Sequence, residues 1–137
     1  MFQAGIKKTF NIRHFLIGDF DEETVPHTHV YAVEWRVGTL GLDENGFSVN
    51  IALMEELLEK LLRQLDDTLL NDLDFFENKQ VSVENTALFI YRHLFEGLRQ
   101  NNVDPAEFSG MEIKIWESDE AWAAYSTGTF GESVTQA

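Results

Sequence analysis

HTHVYAVEWRVG, residues 27–38, decides the fold. His27, His29, Tyr31, Val33, Trp35 and Val37 recur at every second position and share one face of a strand, while Thr28, Val30, Ala32, Glu34 and Arg36 share the other. Upstream, residues 2–17 read as a first strand: Thr9, Asn11 and Arg13 alternate with Phe10, Ile12 and His14, and apolar Phe15–Ile17 follow. DFDEE, residues 19–23, reads as the loop between the two. GLDENG, residues 41–46, carries two glycines and an Asn-Gly turn signal. The two strands therefore form an antiparallel pair that leads into a crossing loop.

The period then changes. Leu53, Leu57, Leu61 and Leu65 recur every four residues, and Leu58 and Leu62 widen the stripe, which predicts an amphipathic helix over 51–65. DDTLLNDLDFFEN interrupts it. A second helix starts near residue 83, with Ser82 as N-cap, Glu84 in the first turn, and Ala87, Ile90, Tyr91, Leu94 and Leu98 as its core face. NNVDPAEFSG is a loop. MEIKIWES sets Met111, Ile113 and Ile115 against Glu112, Lys114 and Trp116, a third strand, and AWAAYS at 121–126 fits a short fourth. The order is β-β-α-α-β-β, an α+β antiparallel sheet with two helices on one face. Residues 1–126 form a single domain, and the stretch 127–137 reads as a weakly determined tail.

Composition narrows the function. With 24 Asp and Glu against 10 Lys and Arg, the chain carries a net charge of −14, which argues against nucleic acid and against anionic membrane surfaces. Hydrophobic residues at 44% and aromatics at 12% suffice for a packed core in 137 residues. There is no cysteine, so neither disulfides nor thiolate chemistry are available. No apolar run approaches membrane-spanning length and the first residues lack a signal-peptide core, so a cytoplasmic location is expected.

Two histidines two apart on a strand project from one face, roughly 7 Å apart along it. His14, on the neighbouring strand, can bring a third imidazole. Three neutral imidazoles suit zinc and leave a fourth position for water or substrate. The spacing alone fits hydrogen-bonded structural histidines as well. Glu23, four residues before His27, is close enough for its loop to fold over such a site. Asp66 and Asp67 end the first helix, where their charge opposes the macrodipole; they fit a turn cap or a functional pair. Glu117 ends the third strand, and His93 sits mid-helix as a polar or boundary residue.

Taken in order, these pieces resemble the 6-pyruvoyltetrahydropterin and 6-carboxytetrahydropterin synthase family. That family has a histidine on its first strand, then Cys-x-x-x-His-Gly-His-x-Tyr, then Gly-x-x-x-Asp-Phe before a helix. Leu-Asp-His-x-x-Leu-Asn, Pro-Thr-x-Glu-Asn and a late Glu-Thr pair follow. The matching stretches here are His14, ETVPHTHVY (23–31), GFSVNI (46–51), LDDTLLN (65–71), VSVEN (81–85) and WES (116–118), spanning residues 8–125. The resemblance implies zinc ligands at His14, His27 and His29. It implies a pterin anchor at Glu117, whose carboxylate accepts two parallel hydrogen bonds from the heterocycle, and a catalytic aspartate at Asp66. It further implies a homo-oligomer, trimer or hexamer, whose sheets close into a barrel with active sites between subunits.

The departures are specific. Glu23 stands at the family's catalytic cysteine and Asp67 at its catalytic histidine. Thr28 replaces the central glycine, Asn50 the aspartate before the helix, and Val81-Ser82 the Pro-Thr pair. A thiol near pKa 8.5 needs a partner to ionise, whereas a glutamate near 4.3 does not, so the paired loss is coherent in a working enzyme. A family subgroup with glutamate at the cysteine position is associated with cleaving dihydroneopterin triphosphate to 6-hydroxymethyldihydropterin. The resemblance thus implies a zinc-dependent lyase acting on a 7,8-dihydroneopterin triphosphate-like pterin. The alternatives are a catalytically silent relative that binds zinc and a pterin-like ligand, or a structural domain without metal.

Overall fold

The computed structural model describes residues 1–131. Strands β1 (Phe2–His14), β2 (His27–Thr39), β3 (Gly110–Trp116) and β4 (Trp122–Gly128) form one sheet in the order β1-β2-β3-β4, with every neighbouring pair antiparallel. Helices α1 (Ile51–Leu65) and α2 (Val83–Gln100) lie between β2 and β3 in the chain and pack on one face of the sheet. The order and layering are those expected from the sequence.

Alternation sets which face is covered. Tyr31, Val33, Trp35 and Val37 of β2 are buried, and so are Phe10 and Ile12 of β1 and Met111, Ile113 and Ile115 of β3. They meet Met54, Leu58, Leu61 and Leu65 of α1 and Ala87, Ile90, Leu94 and Leu98 of α2. Burying each such aliphatic side chain contributes on the order of 1.5–3 kcal/mol. The buried stripe of α1 is rotated from the expected one: Met54 is fully buried, while Leu53 and Leu57 are only partly covered. Leu57 turns to α2 instead, where a Cβ on Gly97 would lie 3.3 Å from its Cδ2. Both helices start on side-chain caps. Asn50 Oδ1 accepts from the Leu53 N–H at 3.2 Å, and Ser82 Oγ accepts from the Asn85 N–H at 3.1 Å.

Two strand boundaries differ from the sequence reading. β1 stops at His14 because β2 begins at His27, its opposite number in the ladder. Phe15–Ile17 stay hydrogen-bonded to side-chain amides in place of a strand. Asn71 accepts from the Phe15 N–H and donates to the Phe15 carbonyl, both at 3.0 Å. Gln80 does the same for Ile17 at 2.6 and 2.9 Å. At the other end, β4 runs two residues past Ser126, to Gly128, and the Phe130 ring lies buried under the Arg36 guanidinium at 3.8 Å. The start of the expected tail thus belongs to the sheet; residues 132–137 lie outside the described residues.

Candidate metal centre

The β1–β2 register pairs His14 with His27 and Ile12 with His29, so the three histidines occupy adjacent and diagonal positions of one ladder face. Their ring centroids lie 4.7 Å (His14–His27), 4.6 Å (His27–His29) and 6.0 Å (His14–His29) apart. The face is the one that carries the core. Beyond Tyr31 the helices no longer cover it, and burial falls from His14, 3% exposed, to an exposed His29. Tyr31 closes the inner side, stacked on His29 with centroids 5.6 Å apart and ring planes 6° from parallel.

A fourth group arrives from the loop. Asp21–Thr24 form a single 3-10 turn that presents Glu23 to the imidazoles. One donor atom from each of His14, Glu23, His27 and His29 lies within 4.8 Å of every other. His27 Nδ1 sits 2.7 Å from the Val25 carbonyl oxygen, which can only accept, so Nδ1 donates to it and the ring turns Nε2 toward the cluster. His14 Nδ1 and His27 Nε2 are both buried without a hydrogen-bond partner among the described residues. His14 is pushed down from 6.5 to about 4, first by burial and then by His27 and His29, with Glu23 opposing. It is therefore a neutral imidazole at physiological pH. Three imidazoles and one carboxylate are a donor set that zinc accepts. The residues present fit a zinc ion.

The cavity in front of these groups is about 450 Å³ and is lined by His14, Phe20, Glu23, His29, Tyr31, the first turn of α2 and Glu117. The expected pterin anchor thus opens on the same cavity as two of the expected metal ligands, His14 and His29. Burial, then Glu117, then Glu23 push the Tyr31 hydroxyl up to about 12, so it stays a neutral donor. The expected catalytic aspartate is elsewhere. Asp66 accepts from Asn11 Nδ2 at 3.0 Å and lines a separate cleft of about 560 Å³ with Lys8, Asn11 and Arg63. Asp67 is exposed beside it at the end of α1. Within one chain the structure gathers His14, His27, His29, Glu23 and Glu117, and leaves Asp66 and Asp67 apart. His93 lies exposed on α2, as a boundary residue.

Sequence reasoning assigned no role to Tyr31, although its place two residues after His29 put it on the same face. It also missed Asn71 and Gln80, whose contacts with Phe15 and Ile17 span 56 and 63 residues and leave no local signal.

Fold and site together define an α+β antiparallel-sheet domain that presents a three-imidazole, one-carboxylate centre at the open end of its sheet. The family model for 6-pyruvoyl tetrahydropterin synthase matches residues 4–128, and the chain belongs to that family. Solved structures agree on the fold. A Caenorhabditis elegans 6-pyruvoyl tetrahydropterin synthase matches with a TM-score of 0.77 at 17% identity, over 93% of this chain and 96% of that one. A Plasmodium vivax 6-pyruvoyltetrahydropterin synthase with a catalytic glutamate changed to alanine matches with a TM-score of 0.70 at 18% identity, over 94% and 100%. The Plasmodium falciparum enzyme gives 0.69 at 18%, over 93% and 99%. These identities make the chain a divergent member. No curated protein matches it in sequence. No helix among the described residues is long and apolar enough to cross a membrane.

Proposed function

We propose that this protein is a zinc-dependent lyase of pterin metabolism acting on a 7,8-dihydroneopterin triphosphate-like substrate. The observation that carries the reading is the cluster of His14, His27, His29 and Glu23, of which His14, His29 and Glu23 line one cavity together with Glu117. Glu117 binds the substrate: its two carboxylate oxygens accept parallel N–H bonds from the guanidine-like edge of the pterin and fix its orientation. His14, His27 and His29 would hold zinc, which would supply Lewis-acid polarisation of the substrate's side-chain oxygens. Glu23 takes a proton from the substrate's side chain and returns it to the product. That a Plasmodium vivax relative has a glutamate named as its catalytic residue supports this role for Glu23. Tyr31, held neutral, donates a hydrogen bond into the cavity.

Asp66 and Asp67 enter from a second copy of the chain. Their exposed place beside an open cleft suits a homo-oligomer, trimer or hexamer, in which this helix end faces a neighbour's histidines. The separation of Asp66 and Asp67 from the imidazoles, with an aspartate where the family has its catalytic histidine, is the one feature that favours a silent pterin-binding relative. Incubation of the zinc-loaded protein with 7,8-dihydroneopterin triphosphate, with identification of the products, decides between them. Turnover supports the lyase. Absence of turnover together with pterin binding that Glu117→Ala abolishes would establish the binder.

A further inference from the structure

Glu23 brings a carboxylate against the His27 ring. Its Oε2 lies 2.8 Å from His27 Nε2, yet the pair lacks hydrogen-bond geometry, and the other ring nitrogen, Nδ1, lies 2.7 Å from the Val25 carbonyl oxygen. Two donor atoms that close, with no hydrogen bond between them, are placed to share a cation. No lysine or arginine lines the cavity among the described residues. His14, whose buried Nδ1 has no hydrogen-bond partner among the described residues, belongs to the same group of four.

The backbone holds Glu23 there. Its carbonyl accepts from the Leu16 N–H at 2.7 Å, and its own N–H donates to the Phe20 carbonyl at 3.1 Å. Leu16 lies between Phe15 and Ile17, which the Asn71 and Gln80 amides fix to the body of the domain. The carboxylate is delivered to the imidazoles by a braced turn.

We propose that Glu23 is itself a metal ligand in the substrate-free protein and completes a four-coordinate set of three imidazole nitrogens and one carboxylate oxygen. The proposal rests on the reading of the histidines as a metal centre and deepens it. The site is then closed at rest, unlike a three-ligand centre that keeps a water in its open position. A substrate oxygen takes the position that Glu23 gives up, and the released carboxylate becomes available for proton transfer.

The test uses the full chain stripped of metal and titrated with zinc and with cobalt(II), in wild type, Glu23→Ala, Glu23→Gln and His27→Ala, with circular dichroism to confirm folding. In Glu23→Ala the zinc dissociation constant should rise roughly ten- to hundredfold, the scale on which loss of even an outer ligand partner acts. The visible spectrum of cobalt-loaded wild type should hold steady across neutral pH. That of Glu23→Ala should titrate near pH 7, as a water in the vacated position ionises. Glu23→Gln, which keeps the side chain's shape, should bind between the two. Unchanged affinity and an unchanged, pH-independent spectrum in Glu23→Ala would overturn the proposal while leaving the three-histidine centre in place. Failure of wild type to take up either metal, with His27→Ala indistinguishable from it, would overturn the metal centre and this proposal together.

Discussion

Glu23 and the Asp66–Asp67 pair are two acidic elements near β1 that the chain treats differently. Glu23 sits on a turn whose backbone is tied to Leu16 and Phe20, and its carboxylate reaches the imidazoles of the same chain. Asp66 ends a helix, is steadied by Asn11, and borders a cleft that the histidines do not share. Ladder register and a short loop suffice to gather the three histidines and Glu23 inside one chain. A group at a helix end goes where the helix packs, and in the oligomer proposed above it would meet a neighbour's histidines.

The contrast can be broken most severely at the ladder. His27→Ala should strip the purified protein of most of its zinc and reduce product formation to background, as measured by metal analysis; full zinc retention would remove the basis for separating the two regions. Next in size, Glu23→Gln should slow turnover about 10²- to 10⁴-fold, the span of a lost general base, with pterin binding kept. Asp66→Asn should leave zinc content untouched and lower turnover alone. Zinc loss in that variant would mean that the two acidic elements serve one centre within the chain.

Two smaller effects sharpen the picture. The neutral His14 of the folded chain takes up its proton only near pH 4, the unfolded chain near 6.5. The unfolded state binds more protons in between, so the metal-free protein should lose stability as pH falls from about 6.5 to about 4 and gain none above that window. The difference in Tm between wild type and His14→Gln across the window isolates this group from the many carboxylates. Gln80→Ala removes both hydrogen bonds to Ile17 and should cost on the order of 1 kcal/mol in urea unfolding. It should loosen Glu23 without moving the histidines, so zinc affinity should fall less than in Glu23→Ala.

What the sequence made legible follows the range over which each feature is encoded. The period-two run at 27–37 sets both the sheet face and the direction of His27 and His29, and His14 joins them once the strands pair in the register that keeps both apolar faces inward. The helix over 51–65 was visible from its leucines. Its rotation, with Met54 inward and Leu57 toward Gly97, depends on how two helices meet and was not visible. The first strand seemed to run to Ile17 because apolar residues continue; its ladder ends at His14 because the partner strand begins opposite. The hold of Asn71 and Gln80 on Phe15 and Ile17 is long-range and polar, and no local pattern announces it. The position of Asp66 relative to the histidines is likewise set by helix packing.

The place of His14 and His27 in the ladder has one more consequence. They are the last pair of the β1–β2 ladder, directly before and after the loop of residues 15–26. An ion bound by both would cross-link that loop at its base, and would limit the freedom of the unfolded chain as a disulfide does. It would also stop the ladder from fraying at its open end, with a gain that grows with free metal concentration. In a chain with no cysteine, the metal centre would double as its staple.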